Sequence, residues 1–313
     1  MPKPRNSWFA ALLTLLSPGL GHLYAGRPWQ AVAWAFTLQA LAVLLPFFVL
    51  ATWFGRLAVG ILWLLPLAVI LPVAHSWWVA RRAPVPFSLH ATNRWYIYLT
   101  FAVVNALLGH LSIQPWVRSQ LRAFRMPSGS MEPTLLIGDF IYVHLQAPEE
   151  IPASPGALVV FESSEEPGLQ VLKRIVAVPG DTVWMKHGEL YRNGAPVPEA
   201  YVKHENIQKT ESPEYRRKIR AWQIAYALGV DTTDYSPDIS DWGPLLVPTD
   251  SLFVLGDNRE ASYDSRYYGW IARNRLLGSP SIIYYSYDPL SPRLLPPLSA
   301  IRWARLGLRF PAK

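Results

Sequence analysis

Cysteine is absent from the 313 residues. That single absence removes thiol nucleophiles, disulfides and thiolate metal sites, and it leaves redox chemistry silent about the compartment. Acidic residues are missing from the first 120 positions, which carry eight Lys/Arg and no Asp or Glu, whereas the remainder holds 21 basic and 22 acidic residues. The net charge of +7 therefore belongs to one half of the chain. That half is apolar, so the excess reads as membrane topology and not as a phosphate-binding face, and nucleic acid is not an expected partner. Charged residues make up only 16% against 51% hydrophobic residues, with 14 tryptophans. Seven histidines (His22, His75, His90, His110, His144, His187, His204) are scattered without a His-x-x-x-His spacing, so no metal and no cofactor are expected. No internal repeat is apparent.

What is present divides near residue 118. Residues 7–24 hold a short apolar run, Trp8 to Leu16, interrupted by Ser17-Pro18-Gly19. It is too short to span and lacks a clean cleavage site, which leaves a broken helix, a re-entrant hairpin, an interfacial segment or a fourth span. Three stretches of about 20 nearly uncharged residues follow, at about 30–53, 57–80 and 95–114, each able to cross a ~30 Å hydrocarbon core. They are apolar all round, unlike amphipathic core helices, and Trp29, Trp53, Trp77, Trp78, Trp95 and Trp116 stand near their ends. Arg81, Arg82 and Arg94 mark 81–94 as a cytoplasmic loop, so the last span runs outward and residues 119–313 lie outside the cytoplasm; Arg56 disagrees mildly.

From residue 119 the texture is that of an antiparallel β domain. Short β-rich runs (140–143, 157–161, 171–178, 181–185, 252–255 and 281–287) alternate with Pro/Gly turns. Pro179-Gly180-Asp181 and Arg192-Asn193-Gly194 read as tight turns, the second as a hairpin. A polar stretch at about 200–242, with a helical piece near 213–228, reads as an insertion or cap. The tail 301–310 is both basic and apolar, the pattern of a segment lying on a membrane surface.

Three segments carry candidate chemistry. Met126-Pro127-Ser128-Gly129-Ser130-Met131-Glu132-Pro133-Thr134-Leu135 is rigid and non-helical, and residues two apart in it point the same way, which puts both hydroxyls on one side. Lys173 lies on a strand whose period-two face is otherwise apolar (Leu169, Val171, Ile175, Ala177), with Arg174 on the other face. A lysine so placed either snorkels or loses its proton, and a neutral lysine can serve as base for a serine where no histidine is available. The third segment, Gly256 to Arg266, is a loop dense in groups able to pair with one another.

Together these segments resemble the type I signal peptidases, membrane-bound Ser/Lys serine proteases. The matching motifs are Pro-Ser-Gly-Ser-Met-x-Pro-Thr-Leu at 127–135, Gly-Asp-Phe-Ile at 138–141, Lys-Arg-x-x-x-x-Pro-Gly-Asp at 173–181 and Gly-Asp-Asn-Arg-x-x-Ser-x-Asp-Ser-Arg at 256–266. Glu260, Ala261 and Ala157 depart from the usual pattern without removing a candidate catalytic group. The resemblance implies a mainly β catalytic domain behind an α-helical transmembrane region. It implies Ser130 as nucleophile, Lys173 as general base, and an oxyanion hole from Ser128 and the Ser130 N–H. Ser262 would orient Lys173, while Asp264, Arg266, Arg174 and Asp257 would support the site. Met126, Pro127, Met131, Leu135 and Leu172 are the candidate pocket walls, for small residues in an Ala-x-Ala pattern. The implied partners are signal peptides of exported preproteins, membrane lipid and the secretion translocon, at the inner membrane with the catalytic domain on the periplasmic side. The alternatives are a maturation peptidase for one dedicated substrate, a self-cleaving repressor (against which the spans count) and a non-catalytic membrane scaffold for export partners.

Overall fold

The computed structural model describes residues 5–50, 65–84, 91–113, 121–203, 212–229, 231 and 233–310. It forms two compact units, one up to Leu121 and one from Arg122 onward.

The first unit is helical. Helix α1 (Ser7–Leu16) starts at Asn6, whose side chain accepts the Trp8 and Phe9 amides. The chain then breaks at Gly19, where φ is +94°, and a Cβ at that position would collide with the Ala31 carbonyl. Helix α2 (Leu20–Tyr24) follows, so the stretch 7–24 is a broken helix. Helices α3 (Pro28–Leu50), α4 (Leu65–Arg81) and α5 (Trp95–Leu108) coincide with parts of the three expected spans. Among the described residues, however, no helix is long and apolar enough to cross a membrane. Helix α4 has 17 residues, ~26 Å of rise against a ~30 Å core. Helix α5 has 14 residues and gives way to a π-helical turn at Gly109–Ile113. Helix α3 runs 23 residues, the side chains of its last six lying outside the described set. Residues 51–64, 85–90 and 114–120, which include parts of all three expected spans, Trp53, Arg56, Trp116 and the middle of the 81–94 loop, also fall outside it.

The second unit is mainly β. Its strands are β1 (Leu121–Arg125), β2 (Asp139–Leu145), β3 (Leu158–Glu162), β4 (Gln170–Ala177), β5 (Thr182–Lys186), β6 (Glu189–Arg192), β7 (Ala195–Pro196), β8 (Trp242–Leu246), β9 (Ser251–Leu255), β10 (Ile271–Ala272) and β11 (Leu276–Ser286). A seven-stranded sheet has the order β1-β2-β11-β3-β4-β9-β10, and a four-stranded sheet the order β7-β6-β5-β8. The pairings β2–β11, β11–β3, β3–β4, β4–β9, β9–β10, β7–β6, β6–β5 and β5–β8 are antiparallel. Alternation along β3 divides its side chains between two cores. Leu158 and Val160 join Met131, Leu135, Ile141, Leu172 and Ile283, whereas Val159 and Phe161 join Ile175, Leu252 and Val254. Asn193 and Gly194, both at positive φ, make the tight hairpin between β6 and β7.

The polar stretch after β7 contains helix α6 (Pro213–Gln223), capped by Ser212, and its residues 204–211 lie outside the described set. Helix α7 (Ser265–Tyr268) closes the loop that follows β9. The tail packs back on the sheet, with bridges Tyr287 to Ile301 and Ile282 to Arg309. Two of its basic residues are engaged inside the unit, Arg302 with Asp288 and Arg305 with Asp139. The tail is thus an integral part of the β fold, and its remaining outward apolar groups include Trp303.

Candidate active site

The serine segment is the connection between β1 and β2. Its ends are closed by backbone bonds, Met126 N to Asp139 O at 2.8 Å and Gly138 N to Met126 O at 3.1 Å. Met131 and Leu135 anchor it from below, both fully buried. Buried Asp139 accepts from the Leu136 amide, Ser286 and Arg305, and Arg305 also donates to the Thr134 carbonyl. What stays outward is the turn carrying the serines, whose two Oγ atoms are 3.4 Å apart.

Lys173 lies in the middle of β4, paired with Val159 of β3, and only 3% of it is exposed. Its Nζ lies 2.9 Å from Ser130 Oγ. Burial lowers the Lys173 pKa to about 8; Asp264 and Asp257 oppose that shift, and Arg266 reinforces it. A substantial neutral fraction at mildly alkaline pH is the result. Its neighbour in sequence, Arg174, forms a two-pronged pair with Asp257 at 2.7 and 2.6 Å.

The loop after β9 wraps the other side. Gly256 lies so close to Ser130 that a Cβ would stand 2.5 Å from the Ser130 carbonyl oxygen. The Asn258 amide donates to that same carbonyl at 3.1 Å. Asp257 also accepts from Thr134 at 2.5 Å, tying the serine segment to Arg174. Asp264 accepts from the Gly256 amide and pairs with Arg266 at 2.9 Å, both side chains being almost wholly buried. Ser262 is brought close to Gly256, yet its buried hydroxyl makes no hydrogen bond to any described residue, Lys173 included.

Beside Ser130 opens a cavity of about 220 Å³ between residues 124–128 and 169–173. Of the candidate wall residues, Met126, Pro127 and Leu172 line it, whereas Met131 and Leu135 do not. Those two lie at full burial in the core beneath, because the turn points its apolar side chains inward and its hydroxyls outward. The walls missed by the sequence reading are Phe124, Arg125, Val160, Leu169, Gln170 and Val171. Phe124 belongs to β1, which is not among the β-rich runs read from the sequence.

These are also the segments that comparison with known proteins matches. The model of the family described as signal peptidase, peptidase S26, matches residues 95–285, more than half of the chain. The chain belongs to that family. It is accordingly a hydrolase, a serine endopeptidase. Among curated relatives, a signal peptidase I of Bacillus licheniformis is 31% identical over 198 residues, 63% of this chain and 90% of the relative. One from Leptolyngbya laminosa is 30% identical over 179 residues, 55% of this chain and 72% of the relative. One from Pseudomonas aeruginosa is 32% identical over 192 residues, 53% and 66% of the two chains.

Proposed function

We propose that this chain is a membrane-anchored signal peptidase that cleaves preproteins after small residues with a Ser130/Lys173 dyad. The observation that carries the reading is the 2.9 Å approach of a 3%-exposed lysine amine to Ser130 Oγ. Ser130 Oγ attacks the scissile carbonyl carbon as neutral Lys173 takes its proton. The resulting oxyanion is met by the Ser130 amide and the Ser128 hydroxyl, which lies on the same side of the turn. Lys173 returns the proton to the leaving amine, the acyl-enzyme forms, and a water deprotonated by Lys173 releases the signal peptide. The narrow cavity bounded by Pro127, Met126 and Leu172 supports a preference for small side chains of the Ala-x-Ala kind. Support for anchoring comes from the uncharged runs at 30–53, 57–80 and 95–114, and the arginines of 81–94 favour a catalytic unit outside the cytoplasm. Signal peptides and lipid are the partners this reading requires, and the translocon is a further one.

Purified full-length protein should cleave an Ala-x-Ala preprotein. Ser130→Ala should have no activity, whereas Ser128→Ala should keep a residue of it, slowed by about 10²–10³. Equal activity in the two variants would show the serines to be wrongly assigned, and an inert wild type would remove the reading altogether.

A further inference from the structure

The five residues that open the polar stretch, Glu199 to Lys203, run along the back of the serine turn. Glu199 Oε1 accepts from Arg259 at 2.5 Å with both side chains nearly buried, and the Tyr201 hydroxyl donates to the same carboxylate at 2.8 Å. The Tyr201 ring lies 3.8 Å from the guanidinium carbon of Arg174. Lys203 is fixed by its own backbone: its amide donates to the Asp257 carbonyl at 2.9 Å, and it bridges Asn258 in parallel fashion. From there Lys203 Nζ reaches Glu132 Oε2 at 3.0 Å. Glu132 in turn closes the turn that holds the serines, its amide donating to the Gly129 carbonyl at 3.1 Å. Its carboxylate folds back over Gly129, where a Cβ would stand 3.0 Å from Oε1.

We propose that Glu199–Lys203 is a positioning strap for the nucleophile, in which Lys203, held through Glu132, fixes the turn that aims Ser130 at Lys173. The inference rests on the Ser130/Lys173 reading. The pair is partly exposed, 37% for the lysine and 24% for the glutamate side chain, and a pair of that kind adds little to stability. Its effect is geometric. Beside the Thr134–Asp257 and Asn258–Ser130 bonds, Lys203 adds a further link between the loop that receives the Ser130 carbonyl and the loop that presents Ser130 Oγ, and its backbone is already held, so the salt link closes at small entropic cost. Attack on a carbonyl is sensitive to displacements of an ångström or less, so loosening the turn should slow chemistry without weakening substrate binding.

The test uses full-length protein in detergent with an Ala-x-Ala preprotein. Glu132→Gln and Lys203→Met should each lower kcat by roughly 5- to 50-fold, with KM within about twofold of wild type, the rising pH limb unmoved and the unfolding temperature nearly unchanged. The charge swap Glu132→Lys/Lys203→Glu should recover most of that loss. Glu132→Asp, which keeps the charge but shortens the reach, should fall with Glu132→Gln and serves in its place where the glutamine variant does not fold. Wild-type kcat in the single variants, a swap no better than either single, or a rise in KM in place of a fall in kcat overturns the strap while leaving the peptidase reading intact. A wild type that cleaves nothing removes both.

Discussion

At the scale of single residues, Lys173 decides the most. The sequence identified it because period two sets it among apolar neighbours, and Ile175 on its face is fully buried in the fold. The source of its surrounding charge was not legible. The pairing Arg174–Asp257 and the reach of Arg266 across the loop are products of tertiary structure. Activity should rise with pH through about 8 as Lys173 loses its proton, and Lys173→Arg should be inactive, since arginine keeps its charge throughout this range. Substantial turnover by Lys173→Arg would falsify the dyad. Stability should report the same group. Its folded pKa, about 8, lies below the ordinary 10.5, so between those values the unfolded chain holds a proton that the folded chain has given up. Stability from this group therefore rises with pH across that window, and below it the burial penalty is present in full. Lys173→Met should resist denaturant better than wild type at pH 7, by about 3 kcal/mol at most, with the advantage shrinking towards pH 10. Chemical unfolding at several pH values checks this, and an advantage independent of pH would contradict it.

At the scale of elements, the strands that were legible are those with dense β-branched or aromatic runs, such as β2, β3, β4 and β9. Strand β8 was hidden because Trp242-Gly243-Pro244 reads as a chain breaker, yet it pairs with β5 from Thr182 to Met185. Strand β1 was hidden because Leu121-Arg122-Ala123-Phe124-Arg125 holds no β-branched residue. The polar stretch was legible only as an insertion. That its helix α6 is fastened to the site, through Trp222 Nε1 to the Arg266 carbonyl at 3.0 Å and Lys218 to Glu165 and Tyr263, depends on contacts no local pattern encodes. The junction of β4 with the loop after β9 should be the most sensitive. Asp257→Ala leaves Arg174 buried without its carboxylate and releases Thr134, so a loss of about 3–5 kcal/mol is expected, together with loss of cleavage. Denaturant unfolding measures the first; a change below about 1 kcal/mol would mean that the pair contributes far less than a buried pair of this kind should.

At the scale of the whole molecule, the chain joins a helical unit to a β unit, and the composition break near residue 118 reflects that change of texture. The extent of the apolar runs was legible from the absence of charge, but not where helix ends within them. The π turn at Gly109–Ile113 has no signature in a uniformly apolar stretch. On the proposed reading, the full-length chain should stay with the membrane fraction after extraction at alkaline pH and leave it only with detergent. Appearance in the wash supernatant would remove the anchoring while leaving the β unit's chemistry open to separate assay.

The buried amine beside Ser130 has a practical corollary. Burial pushes the Asp264 carboxyl up, but Arg266 and Lys173 outweigh it and hold it below the usual carboxylate range. Mild acid should therefore silence the amine long before it unpicks the Asp264–Arg266 pair beside it. A preparation kept near pH 5 would be parked, folded, able to load substrate and chemically idle. Raising the pH would then start every loaded molecule together, so that the first acyl transfer could be timed apart from product release.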